Sequence, residues 1–181
     1  MVDETKQKIM DAALKVSADY GYKGATTRAI AEESGFNELT LFRKFKTKEN
    51  LFNEVLNQNI RKIKKEIKTK FKSNNSTDPD EILRTLITDI AEIANNNAEF
   101  LKLTNIEKIE IADSLKTEFV EYLSKFLEKK IPNRDVEYDA MARSIYANIT
   151  TISQTKYLDE EFDQDKAVKG YIENVLKVFA E

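Results

Sequence analysis

The chain has no cysteine and no histidine, and among its 181 residues only four glycines and two prolines. Without thiols or imidazoles there can be no disulfide framework, no thiolate or imidazole zinc site, no cysteine nucleophile and no imidazole general base. Most familiar hydrolase designs are excluded, and a diiron carboxylate bundle is disfavoured because such sites usually include a histidine at Glu-x-x-His spacing. Neither catalysis nor a metal or other cofactor is expected. So few glycines and prolines leave few tight turns, which argues against a sheet built from hairpins and for long helices; an all-α fold is expected. No apolar run approaches the roughly 18 residues a membrane helix needs, and the opening Met1-Val2-Asp3-Glu4 lacks the apolar stretch of a signal peptide, so a soluble, cytoplasmic protein without a membrane partner is expected.

What is present is charge, unevenly distributed. The net charge of −3 argues against a nucleic-acid partner. Residues 1–72, however, carry 16 basic and 10 acidic groups, a balance of +6, while residues 73–181 carry 13 and 22, a balance of −9. A basic front and an acidic rear imply two tasks. The polar stretch from Ser73 to Pro79 marks the changeover, and the length suits one domain or two small ones.

Apolar residues recur at helical spacing along most of the chain. Ile9, Ala13, Val16 and Tyr20 predict a first helix from Asp3 to Tyr20, ended by Gly21. Thr26 is placed to cap a short helix over Thr27–Ser34, closed by Gly35, and Asn37 to cap a third over Glu38–Phe45. Thr47 opens a longer fourth helix, Lys48 to Lys72. Phe52, Leu56, Ile60, Ile63, Ile67 and Phe71 form its apolar stripe, with Arg61, Lys65, Lys68 and Lys72 opposite. Five more helices follow, over Asp80–Ala94, Ala98–Ile109, Asp113–Lys130, Asp135–Tyr157 and Asp163–Ala180.

Two short helices joined by a tight Ser34-Gly35-Phe36 turn have the form of a helix-turn-helix, whose second helix enters the DNA major groove. Ile30, Ala31, Leu41 and Phe45 would hold the two helices to a core. Asn37, Glu38, Thr40, Phe42, Arg43 and Lys44 would face outward, offering hydrogen bonds, charge and an aromatic surface. Lys48, in the first turn of the fourth helix, adds a cation to the free amides and positive dipole end there, an arrangement suited to phosphate. Solvated helix faces and a surface ion pair are the plainer readings of Arg43, Lys44 and Lys48.

The run Thr26-Thr27-Arg28-Ala29-Ile30 through Ser34-Gly35-Phe36-Asn37-Glu38-Leu39-Thr40-Leu41-Phe42-Arg43-Lys44-Phe45-Lys46-Thr47-Lys48 resembles the TetR family of transcriptional regulators, and the likeness extends from Ile9 to Val55. It implies a helix-turn-helix DNA-binding head over residues 1–47 and a helical effector-binding and dimerisation domain over residues 48–181. It also implies phosphate contacts for Thr27 and Arg28 and base contacts for Asn37, Glu38 and Thr40. Phe42 replaces a frequent tyrosine, so it would touch sugar or a thymine methyl. Leu39 and Glu38 replace a common small residue and a common lysine. Repression of a pseudo-palindromic double-stranded operator, relieved by a small molecule that spreads the two heads, is the mode the resemblance implies.

In the rear half, Phe100, Phe119, Tyr122, Phe126, Tyr138, Met141 and Tyr146 are candidates to line an effector cavity; ordinary core packing is the alternative for each. The acidic balance there mildly suits a cationic ligand. The last two helices are apolar on two sides and need two partners, which predicts a homodimer through Ile145, Ile149, Ile152, Val168, Tyr171, Ile172, Val175 and Phe179. An internal helix in a larger monomeric bundle would satisfy the same pattern.

Three weaker patterns have simple explanations. Ser153-Gln-Thr-Lys156 has the spacing of some serine enzymes but lacks their other motifs. The acids Glu107, Glu110 and Asp113 fit a polar helix face as well as a cation site. The sequons at Asn74, Asn75 and Asn148 carry no meaning without secretion. The nearest rival to an effector-controlled regulator is a DNA-binding dimer without effector, acting in chromosome organisation or as a scaffold.

Overall fold

The computed structural model describes residues 3–107, 110–132, 135–159 and 161–180; the side chains of 110–112, 156–158 and 178–180 lie outside that description, and with them the expectations placed on Glu110, Lys156 and Phe179. All regular structure among the described residues is helical. The helices are α1 (Glu4–Gly24), α2 (Thr27–Ser34), α3 (Glu38–Phe45), α4 (Lys48–Ser73), α5 (Pro79–Asn96), α6 (Ala98–Glu107), α7 (Glu110–Lys130), α8 (Tyr138–Leu158) and α9 (Gln164–Ala180).

Side-chain caps set most of the starts. The Asp3 carboxylate accepts from the Lys6 amide at 3.1 Å, Thr26 from Ala29 at 3.1 Å, Asn37 from Thr40 at 2.8 Å and Thr47 from Asn50 at 3.0 Å. Glu137 caps Ala140 at 2.8 Å, which moves the start of α8 from Asp135 to Tyr138. Asp78 caps Asp80, with Pro79 in the first turn where its missing N–H costs nothing. Gly35 ends α2 at φ 74°, ψ 17°, the left-handed geometry of a C-cap.

At Gly21 the expected end of α1 is instead a break. Its φ of 70° and ψ of 172° are not helical, yet the helix resumes through Gly24, and Tyr20, expected in the core, is exposed. The Tyr22 amide freed by the break is taken by the Glu107 carboxylate of α6 at 2.7 Å.

The chain divides into two compact units, Met1–Ile63 with Glu99–Ile109, and Lys64–Ala98 with Glu110–Glu181. In the first, Ile9, Met10, Ala13 and Val16 of α1 pack with Ala25, Ile30 of α2, Leu41 and Phe45 of α3, and Leu51 and Val55 of α4. In the second, α5 packs against α8 and α9, and α8 also against α7 and α9. Ile82, Leu83, Leu86 and Ile87 of α5, Leu123 and Leu127 of α7, and Ala142, Ile145 and Ile149 of α8 are its deepest side chains. The polar stretch after α4 is folded onto this unit: Asn74 is buried, donating to the Ile82 carbonyl at 3.3 Å and accepting from Lys130 at 2.9 Å.

Candidate nucleic-acid interface

Three buried anchors orient α2 and α3. Ile30 fixes the inner face of α2, while Leu41 and Phe45, one helical turn apart, fix that of α3. With the inner face committed, Leu39, Phe42 and Arg43 of α3 are left exposed, and Glu38, Thr40 and Lys44 are partly covered.

Several residues expected to meet DNA meet one another. The Thr27 hydroxyl donates to Glu38 Oε2 at 2.6 Å, which ties the first residue of α2 to the first of α3. Asn37 Oδ1 accepts from both the amide and the hydroxyl of Thr40, at 2.8 and 3.0 Å. Arg28 pairs with Glu32 one turn along α2, and both remain well exposed. Lys44 Nζ lies 2.6 Å from Asp3 Oδ2, and this bond, more than the cap with Lys6, holds the Asp3 carboxyl below its ordinary range. Lys48 donates to the Tyr22 carbonyl and stands over the Tyr22 ring, 4.4 Å from its centroid. Arg43 has no ion pair among the described residues. These are surface contacts of modest strength, which phosphates can displace.

The aromatic residues expected around an effector are divided between the two units. Phe100 is buried in the first unit; the other six lie in the second. Phe71 of α4 gathers Phe119, Tyr122 and Phe126 of α7, with ring centroids at 6.2, 5.4 and 4.9 Å, and Phe119 in turn meets Tyr146 at 5.8 Å. Burial first, and Asp113 second, push the Tyr146 phenol up. Tyr138 spends its hydroxyl on the Ile131 carbonyl at 2.5 Å, and Met141 is half-buried.

Beside this cluster is an open cleft of about 310 Å³ between α4 and α7, floored by Ile67, Leu115, Phe119 and Tyr122. Three lysines of α4, Lys64, Lys68 and Lys72, rim it against a single acid, Glu118. Glu118 is bonded to Lys64 at 2.6 Å, so the local surplus is positive in a unit whose overall balance is acidic. The i, i+4 spacing of these lysines is visible in the sequence, but their opposition to α7 is a non-local fact.

Of the residues expected at a dimer interface, Ile145 and Ile149 are 0% exposed and Ile172 is also buried, because α8 packs on α5, α7 and α9 within a single copy. Ile152, Val168, Tyr171 and Val175 keep exposed area. The Tyr171 hydroxyl lies 3.5 Å from Ser144 Oγ. Gly170 faces open space, so no neighbour within the chain requires its missing side chain.

Residues 9–55 match the family model of bacterial regulatory proteins, tetR family. Over 54 residues the chain is 41% identical to the uncharacterized HTH-type transcriptional regulator YvkB of Bacillus subtilis, a stretch covering 30% of this chain and 29% of that protein. It is 25% identical over 151 residues to the HTH-type transcriptional repressor AcnR of Corynebacterium jeikeium, covering 78% of this chain and 76% of that one. Its fold is similar to that of AibR, solved in complex with isovaleryl coenzyme A and operator DNA, at a TM-score of 0.71 and 17% identity over 93% of this chain and 96% of AibR. The similarity to the TetR family of bacterial regulatory proteins therefore lies in the segment that holds the helix-turn-helix, from Ile9 of α1 to Val55 of α4.

Proposed function

We propose that this chain is a cytoplasmic, sequence-specific transcriptional regulator that binds a pseudo-palindromic operator as a homodimer, represses from it, and is released when a small molecule binds its helical domain. The observation that carries the reading is the α2-turn-α3 unit, anchored by Ile30, Leu41 and Phe45 and presenting Leu39, Phe42 and Arg43 outward, with Lys48 at the start of the next helix. A repressor's name on AcnR and operator DNA in the AibR complex support it.

The α4/α7 cleft is the effector site of this reading. Its volume is at the small end of ligand pockets, its floor is apolar, and Lys68 and Lys72 favour an anionic group, contrary to the cationic ligand that the acidic balance suggests. Isovaleryl coenzyme A in AibR has that character. Such a ligand lowers DNA affinity only by binding the DNA-incompetent state more tightly, and about 3 kcal/mol of coupling would change affinity by about 150-fold. Dimerisation falls to the faces of α8 and α9 that keep area, around Ile152, Val168, Tyr171 and Val175.

The test is selection of bound duplexes from a random pool by the purified protein, repeated with short- and long-chain acyl-coenzyme A thioesters. A palindrome with half-sites about one helical turn apart, lost on adding one thioester, is expected. Uniformly weak binding without a selected sequence would reject the regulator in favour of a DNA-organising or scaffolding dimer.

A further inference from the structure

The recognition helix spends most of its polar groups within the protein. Asn37 is committed to Thr40, Glu38 to Thr27 and Lys44 to Asp3. What α3 leaves outward and uncommitted is Leu39, Phe42 and Arg43. Leu39 is 77% exposed and Phe42 41%, so two of the five large exposed hydrophobic side chains among the described residues sit on one helix of eight residues. A solitary exposed leucine is unremarkable in a folded protein. An adjacent pair on the helix that enters the groove, between polar neighbours already bonded, is a chemically defined surface.

Thymine is the only base that presents an apolar group in the major groove, its 5-methyl. Side chains three residues apart on a helix have Cβ atoms about 5–6 Å apart and share a face. Base pairs stack about 3.4 Å apart, so Leu39 and Phe42 span one to two base steps. The cytosine amine that a free glutamate would favour has a weaker claim here, because Glu38 already accepts the Thr27 hydroxyl at 2.6 Å. Resting on the reading of α3 as the recognition helix, we propose that Leu39 and Phe42 read thymine 5-methyl groups, so that each operator half-site carries two thymines one or two steps apart under this edge.

Uracil in place of thymine keeps the base pairing and removes only the methyl. With the full-length protein and its selected operator, replacing each thymine in turn should weaken binding about fourfold at the two positions read, the value of one buried methyl-sized group, and leave the others unchanged. Leu39→Ala should bind the thymine and uracil operators equally at one of those positions, and Phe42→Ala at the other. Leu39→Ala removes little packing, since the side chain is mostly exposed, and introduces the strongest helix former, so the helix is retained. Unchanged affinity at every uracil substitution, with sequence-specific binding intact, overturns the proposal. Failure to select any sequence overturns instead the assignment of α3 on which it rests.

Discussion

Lys44 stands in the last turn of the short α3 and Lys48 at the first position of the long α4, and their neighbours give them different starting states. Lys48 is steadied by the Tyr22 carbonyl and ring, a partner without net charge, so its full positive charge remains available to a phosphate. Lys44 is held by the Asp3 carboxylate, which a phosphate must displace. Lys48→Met keeps the stem over Tyr22 and removes the charge. It should weaken binding to all DNA sequences alike and flatten the slope of log affinity against log salt by about 0.9 per protomer; an unchanged slope would remove Lys48 from the phosphate contacts. Asp3→Asn retains a capping side chain and releases Lys44. Its salt slope should steepen by a similar amount, measured by the same titration. The pair also has a pH signature. The Asp3 carboxyl is held below its ordinary value of 3.8, so its contribution to stability is complete above that value and is lost as pH falls through the lower folded one. Thermal melts of Asp3→Asn should therefore decline less than those of the parent below about pH 4. At this scale the sequence was a good guide to which residues stand at the surface and a poor guide to their partners. The resemblance implies a base contact for Glu38, but its bond to Thr27, across the turn, is invisible to spacing along the chain.

Capping and periodicity decide the helices, and both are local. Thr26, Asn37 and Thr47 cap where the sequence places them, and Ile30, Leu41 and Phe45 are buried as their spacing predicts. Gly21 and Gly35 look alike in the sequence but do different work. Gly35 lies in the left-handed helical region with nothing within 4 Å of an added Cβ. Gly21 lies in a region essentially reserved for glycine, and an added Cβ would fall 2.5 Å from the Glu107 oxygen that holds the Tyr22 amide. Gly35→Ala should cost about 1–2 kcal/mol in denaturant unfolding and Gly21→Ala up to about 3, with the larger loss accompanied by disturbance of Glu107. Equal losses would show that the break in α1 tolerates a side chain. The break itself was not legible because its compensating acceptor is 85 residues away in sequence.

For the molecule as a whole, burial within one copy narrows where a second copy can bind. Ile145 and Ile149 have no area left to offer, whereas Val168, Tyr171 and Val175 recur at helical spacing on α9 and remain partly exposed. A charge at the centre of that face should oppose association: Tyr171→Asp is expected to sediment as a monomer of unchanged helical content and to lose affinity for a two-half-site operator, while retained dimers would move the interface off α9. The all-α class, the helix-turn-helix and the division into basic front and acidic rear were legible in the sequence, because turn residues, caps, hydrophobic period and charge are properties of neighbours along the chain. The tertiary structure alone decided which polar groups of α3 are already bonded, which aromatics cluster on Phe71, that lysines rim the cleft of an acidic unit, and which apolar face of α8 is enclosed. Each of those depends on residues brought together from distant parts of the chain, and no spacing within a single helix encodes its neighbour.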